Sequence, residues 1–216
     1  MFGTSLTFAN SGVEKTMLVV FDRKSDYKCL VLYYNNFLYL TLNTFYDNIL
    51  RPPPGISYRV WLNTIFEIFA DYFDLRVAAR NLMLDKTFWL YEAKRYEVTG
   101  TCPTLDDLYH LVKNTKYPLL SREARYQESA INRLRGILNV FGDGLCSNRE
   151  LKWEVLLNTD FAIGTDGIPT DYQSFFISYF TAKILLYRMT NGPRESRLQN
   201  LIVIDEASTV FKEHRG

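Results

Sequence analysis

Two adjacent carboxylates, Asp205 and Glu206, follow four branched apolar residues in L-I-V-I-D-E-A-S, Leu201 to Ser208. Such a run reads as a buried strand that delivers its acids to its own carboxyl end. An Asp placed there can hold magnesium, usually through water, because the cation keeps much of its hydration shell and demands octahedral geometry. A Glu beside it can orient or polarise a water that attacks a γ-phosphate. The pair therefore suits nucleotide hydrolysis, with Asp205 at the metal and Glu206 at the water. Taken alone, the pattern describes equally well a core strand whose chain is returning to solvent.

A second acid, Asp22, ends another short apolar run, T-M-L-V-V-F, and is followed by Lys24 and Asp26 in D-R-K-S-D. Ligands of a parallel sheet gather beyond the carboxyl ends of its strands, so Asp22 and the Asp205-Glu206 pair are expected at one edge. Lys24 and Asp26 fit the nucleotide edge, a subunit contact or a solvated charged loop.

The elements that must position these groups follow from the patterning. Thr16 to Phe21 and Phe37 to Leu42 read as strands, and R-P-P-P-G, ending at Gly55, then forbids continued helix or ladder. From Ser57, an N-cap candidate, to about Gly142 the apolar positions recur three or four apart. Thr104 to Asp107 supplies a capping signal, and Ser121 caps a helix whose expected stripe is Ala124, Ile131, Leu134, Leu138 and Phe141. Val155 to Thr165 is a candidate strand. Thr170 with Gln173 predicts a capping box for a helix carrying Phe176, Phe180, Ile184 and Tyr187, stopped by Gly192-Pro193. The order implies a parallel sheet with crossover helices and an α-helical insertion. The expected division is a first part of the core at 1–56, an all-α insertion at 57–142 and a second part of the core at 143–216.

Composition narrows the function classes. With 216 residues and 47% hydrophobic content the chain can fill a substantial core. Lys plus Arg number 25 against 24 acids, so no global field draws nucleic acid or anionic membrane, and any such contact is local. Cys29, Cys102 and Cys146 lack C-x-x-C spacing and read as reduced thiols. No signal peptide is recognisable, and Phe175 to Tyr187, broken by Lys183, is too short for a membrane span. The expectation is a cytoplasmic protein. Arg122, Arg125, Arg133 and Arg135 form a basic stretch, but interleaved Glu123 and Glu128 favour a solvated face. His110 and His214 have no metal partner at helical spacing, and Trp61, Phe66, Phe69, Phe73, Phe88 and Trp89 read as helix core.

F-D-R-K-S-D-Y, L-R-P-P-P-G, the helical block, A-R-Y-Q-E-S-A-I-N-R-L and L-I-V-I-D-E-A-S occur in an order that resembles the HerA/FtsK class of P-loop ATPases. That class includes HerA-like DNA translocases and the ATPases of conjugation and type IV secretion. The resemblance spans nearly the whole chain and is weakest over 143–165. It implies an α/β RecA-like P-loop core, incomplete here, with L-I-V-I-D-E as the Walker B strand. It further implies ATP and Mg2+ as cofactors, a homo-hexameric ring, double-stranded DNA as the moved polymer, and a nuclease or secretion apparatus as partner.

A P-loop reads G-x-x-x-x-G-K-[ST], because glycine amides wrap the phosphates, the Lys reaches them and the hydroxyl ligates magnesium. The nearest octet, A-N-S-G-V-E-K-T at Ala9 to Thr16, places Glu14 where a glycine is required and runs directly into a strand. By the order of the class, Ser5 to Val13 reads as the end of the P-loop helix, which places the loop upstream of residue 1. The parent protein is then expected to hydrolyse ATP, and this chain alone is not. The competing expectation is an inactive P-loop-fold subunit of a translocation or secretion complex.

Overall fold

The computed structural model describes residues 16–149, 152–192 and 198–207. The octet ending in Lys15-Thr16, the Ser5 to Val13 reading, Pro193, Ser208 and His214 lie wholly or largely outside the described residues. Strands β1 (Met17–Asp22), β2 (Phe37–Leu40), β3 (Asp160–Gly164) and β4 (Asn200–Ile204) form a sheet ordered β2-β3-β1-β4, with every pairing parallel. Successive β1 side chains enter opposite cores. Val19 and Phe21 join the large cluster shared with the helices, and Val20 joins Phe37 and Ala162 on the other face. A strand covered on both faces must be apolar throughout, which is why M-L-V-V-F does not alternate.

A 3-10 turn (Asp26–Cys29) and the single turn α1 (Leu30–Tyr33) lead from β1 to β2. Between β2 and β3 lie α2 (Tyr58–Phe73), α3 (Val77–Ala93), α4 (Tyr96–Thr99), α5 (Leu105–Asn114), α6 (Arg122–Phe141), α7 (Asp143–Cys146) and α8 (Trp153–Leu156). Their starts follow the capping chemistry: Ser57 accepts from the Arg59 amide, Ser121 from that of Ala124, and Thr104 and Asp107 close a reciprocal box.

Several expectations need correction: Trp89, read as helix core, is 54% exposed on α3, and β2 ends at Leu40 rather than Leu42. The buried stripe of α6 is Ala130, Leu134, Ile137 and Phe141, with Ile131 and Leu138 only half buried, because α6 turns a slightly different face to its neighbours α3 and α5. Strand β3 starts at Asp160, since Trp153 and Leu156 are buried by a helical turn before it. The Thr170-Gln173 box does not form: α9 (Thr170–Asn191) is preceded by Pro169, and the Gln173 side chain is engaged elsewhere.

Helix α9 lies between sheet and helices, which explains its apolar character on several sides. Phe176 and Phe180 meet Phe21 of β1 edge-on at centroid distances of 6.4 and 5.8 Å, while Phe175 meets Phe69 of α2 at 5.0 Å. At the centre Lys183, fully buried, places Nζ 2.6 Å from Asp47 Oδ2, 3.3 Å from the Asn48 carbonyl and 3.2 Å from Tyr179 Oη. Tyr179 also donates to Asp47, and the Lys183 ammonium lies 5.1 Å from the Trp153 ring centroid. A buried charge survives only when paired and hydrogen-bonded, and this one is both.

Candidate functional site at the carboxyl edge of the sheet

Parallel register brings the chemistry-bearing residues together. Phe21 pairs with Ile204 and Asp22 with Gly164, so β1, β3 and β4 end side by side. The ladder continues one step further: the Asp205 amide donates to the Phe21 carbonyl at 3.1 Å and the Thr165 amide to the Asp22 carbonyl at 2.8 Å. Asp22, Lys24, Asp205 and Glu206 thus occupy one edge.

Their roles at that edge differ. Asp22 is fully buried, and its carboxylate accepts from the amides of Asp26 and Tyr27 and from Tyr39 Oη, each at 3.1 Å. It closes the turn after β1, as an Asx-type side chain does. Burial pushes the Tyr39 phenol up, which keeps it a donor to Asp22. Asp205 is half buried, and its Oδ2 is shielded from solvent without a hydrogen-bond partner among the described residues. Glu206 is exposed and adopts a left-handed backbone, φ 51°. That conformation costs a non-glycine residue about 1 kcal/mol and recurs where side chains are aimed at ligands.

Two cations hold Glu206 in this position. Its carboxylate bonds the Lys24 ammonium and lies 3.6 Å from Arg23 Nη1. The hydrogen bond from Lys24, its charge and that of Arg23 hold the Glu206 carboxyl below its ordinary range despite some desolvation, and the same contact raises Lys24. Arg23 was hidden from sequence reasoning by the charged run around it. Its side chain is 11% exposed and its Nε donates to Gln173 Oε1 at 2.6 Å, while Gln173 Nε2 donates to the Thr165 carbonyl at 2.8 Å. Arg23 Nη1 is shielded and forms no hydrogen bond among the described residues.

The edge thus presents a buried acceptor, Asp205 Oδ2, without a hydrogen-bond partner among the described residues, and a buried donor, Arg23 Nη1, which faces the Glu206 carboxylate only at ion-pair range, 3.6 Å. Such groups cost free energy unless a ligand satisfies them. The acceptor fits a water of a hydrated magnesium ion and the donor fits a phosphate oxygen. No group of three or more His, Cys, Asp or Glu placed to hold a metal ion occurs among the described residues.

No family model and no curated protein matches the chain. Solved structures do. VirB4 of Thermoanaerobacter pseudethanolicus superimposes with a TM-score of 0.55 at 17% identity, covering 91% of this chain and 76% of that one. The bacterial conjugative coupling protein TrwB, in its unbound monoclinic form, gives 0.57 at 13% identity over 90% of this chain. Plasmid coupling protein TrwB in complex with the non-hydrolysable ATP analogue ADPNP gives 0.56 at 13% identity. The chain spans about half the length of each TrwB chain, 50% and 51%. At these identities the likeness establishes the fold alone, a parallel α/β core flanked by helices, as the motif order implied.

Proposed function

We propose that this chain is part of a ring-forming ATPase that couples ATP hydrolysis to the translocation or transfer of double-stranded DNA. The observation that carries the reading is the Asp205-Glu206 pair at the end of β4, with Asp205 Oδ2 shielded and free of hydrogen bonds among the described residues and Glu206 aimed by a left-handed backbone. Asp205 would hold magnesium through water, and Glu206 would orient the attacking water. Bound magnesium supplies charge neutralisation for the transferred phosphoryl. Arg23 and Lys24 supply positive charge at the same edge, and Asp22 acts by fixing the turn that carries Lys24. The ATP analogue bound by the TrwB neighbour supports a nucleotide at this fold. A hexamer, a cytoplasmic location and a nuclease or secretion partner complete the proposal by analogy with the class that the motifs resemble. No helix among the described residues is long and apolar enough to cross a membrane.

A second reading, an inactive subunit that keeps the fold and its contacts, draws on the pairing of Glu206 with Lys24 and Arg23, because a carboxylate neutralised by two cations is a weak base. Steady-state ATP turnover by the protein from its complete reading frame separates them. The motor reading expects Glu206→Gln to lower kcat by at least about 100-fold. Unchanged turnover in both Glu206→Gln and Asp205→Ala would remove the catalytic assignment.

A further inference from the structure

A cleft of about 420 Å³ opens where the start of α3 meets α6. Arg122, Arg125, Ser129 and Arg133 line it from one face of α6, and Arg76 lines it from the N-cap of α3. The spacing from 122 to 133 follows the three-to-four-residue period that places side chains on one helix face. The interleaved glutamates that made this stretch look like an ordinary solvated face, Glu123 and Glu128, do not line the cleft, and Arg135 turns away to Tyr109 at 3.4 Å. Asp74 is the one carboxylate in the lining. Among the described residues none of the four lining guanidiniums forms an ion pair, whereas neighbouring Arg80 is paired with Glu67.

The placement of these cations opposes local helix energetics. The first turn of a helix carries a partial positive charge and favours anions, yet Arg76 caps α3 and Arg122 opens α6. Arg76 gives α3 no side-chain cap. Two amino-terminal helix ends and four guanidiniums therefore share one cleft, an arrangement that an anion relieves. Guanidinium forks match phosphate oxygens in pairs, and the cleft volume is that of a small-molecule site.

We propose that this cleft binds a phosphate group, borne by a nucleic-acid backbone or by a small phosphorylated molecule. It shares no residue with the carboxylate edge, so the proposal stands independently of ATP hydrolysis there. The test is run without magnesium. Calorimetry with pyrophosphate and fluorescence anisotropy with a labelled DNA duplex are performed on the full chain and on the double variant Arg122→Gln/Arg125→Gln. Binding of either probe is expected, weakened about tenfold or more in the double variant, because charge-assisted contacts are lost. Thermal stability of the variant without ligand should be equal or higher, since cations leave a helix amino terminus. Arg133→Gln, farther along α6, should weaken binding without altering that terminus. The probe that binds identifies the source of the phosphate. If neither binds, if the substitutions leave binding unchanged, or if only an acidic peptide binds, the proposal is overturned.

Discussion

Lys24 and Glu206 form an ion pair across the ends of adjacent parallel strands, each residue lying two positions beyond the last residue of its strand. The contact ties the loop after β1 to the turn after β4 and places a cation directly against the carboxylate assigned to the attacking water. Its consequence can be read by titration. In Lys24→Met the Glu206 carboxyl should titrate closer to its ordinary range, followed by NMR of the side-chain carbonyl. Because its folded value is depressed, the pair's stabilising contribution is present above the unfolded carboxylate range and is lost as pH falls through the depressed value. The acid limb of the stability curve should therefore flatten in Lys24→Met. An unmoved titration would show that the ion pair is not formed in solution.

Gly164 faces Asp22 across the β1-β3 ladder, and a Cβ there would lie 3.0 and 3.1 Å from two ring carbons of Tyr39, closer still to its hydroxyl. Tyr39 is the donor that completes the Asp22 carboxylate. Gly164→Ala should push the ring away and destabilise the protein by about 1–3 kcal/mol in urea denaturation. A neutral substitution would mean that the ring is not seated against β3.

Removing the charge of Lys183 leaves Asp47 buried without its cation. Lys183→Met should cost about 3–5 kcal/mol, and Asp47→Asn added to it should recover part of that loss. Purely additive effects in thermal or urea melts would contradict the coupling seen between α9 and the segment after β2.

Thr170 and Gln173 distinguish a capping box from the observed network. Thr170→Ala should change stability by less than about 0.5 kcal/mol, because the residue caps nothing. Gln173→Ala should cost about 1–3 kcal/mol, since it removes bonds to Arg23 and to the Thr165 carbonyl inside the core. A loss of about 1 kcal/mol or more in Thr170→Ala, with little change in Gln173→Ala, would restore the capping reading.

Much of this arrangement was legible in the sequence where local chemistry determines it. The strand ends at Asp22 and Asp205 follow from apolar runs meeting acids, and the caps at Ser57, Thr104 and Ser121 follow from short side chains that bond nearby amides. What escaped depended on partners distant in sequence. T-x-x-Q satisfies the capping pattern at Thr170, but the Gln173 side chain is taken by Arg23, which lies 150 residues earlier in the chain. Lys183 read as an interruption of an apolar run, because nothing local announces Asp47, 136 residues away. The α6 arginines read as a solvated face, and nothing in the sequence pointed to Arg76, which joins them only where α3 packs against α6.

Magnesium-dependent ATP binding by calorimetry, on the protein from its complete reading frame and on its Asp205→Asn variant, addresses the central claim most directly. The account predicts tight binding that requires magnesium in the parent and loses that requirement, with at least about tenfold weaker affinity, in the variant. Equal magnesium-dependent binding by both would show that Asp205 does not hold the metal, and that the carboxyl edge of β4 is the end of a core strand and nothing more.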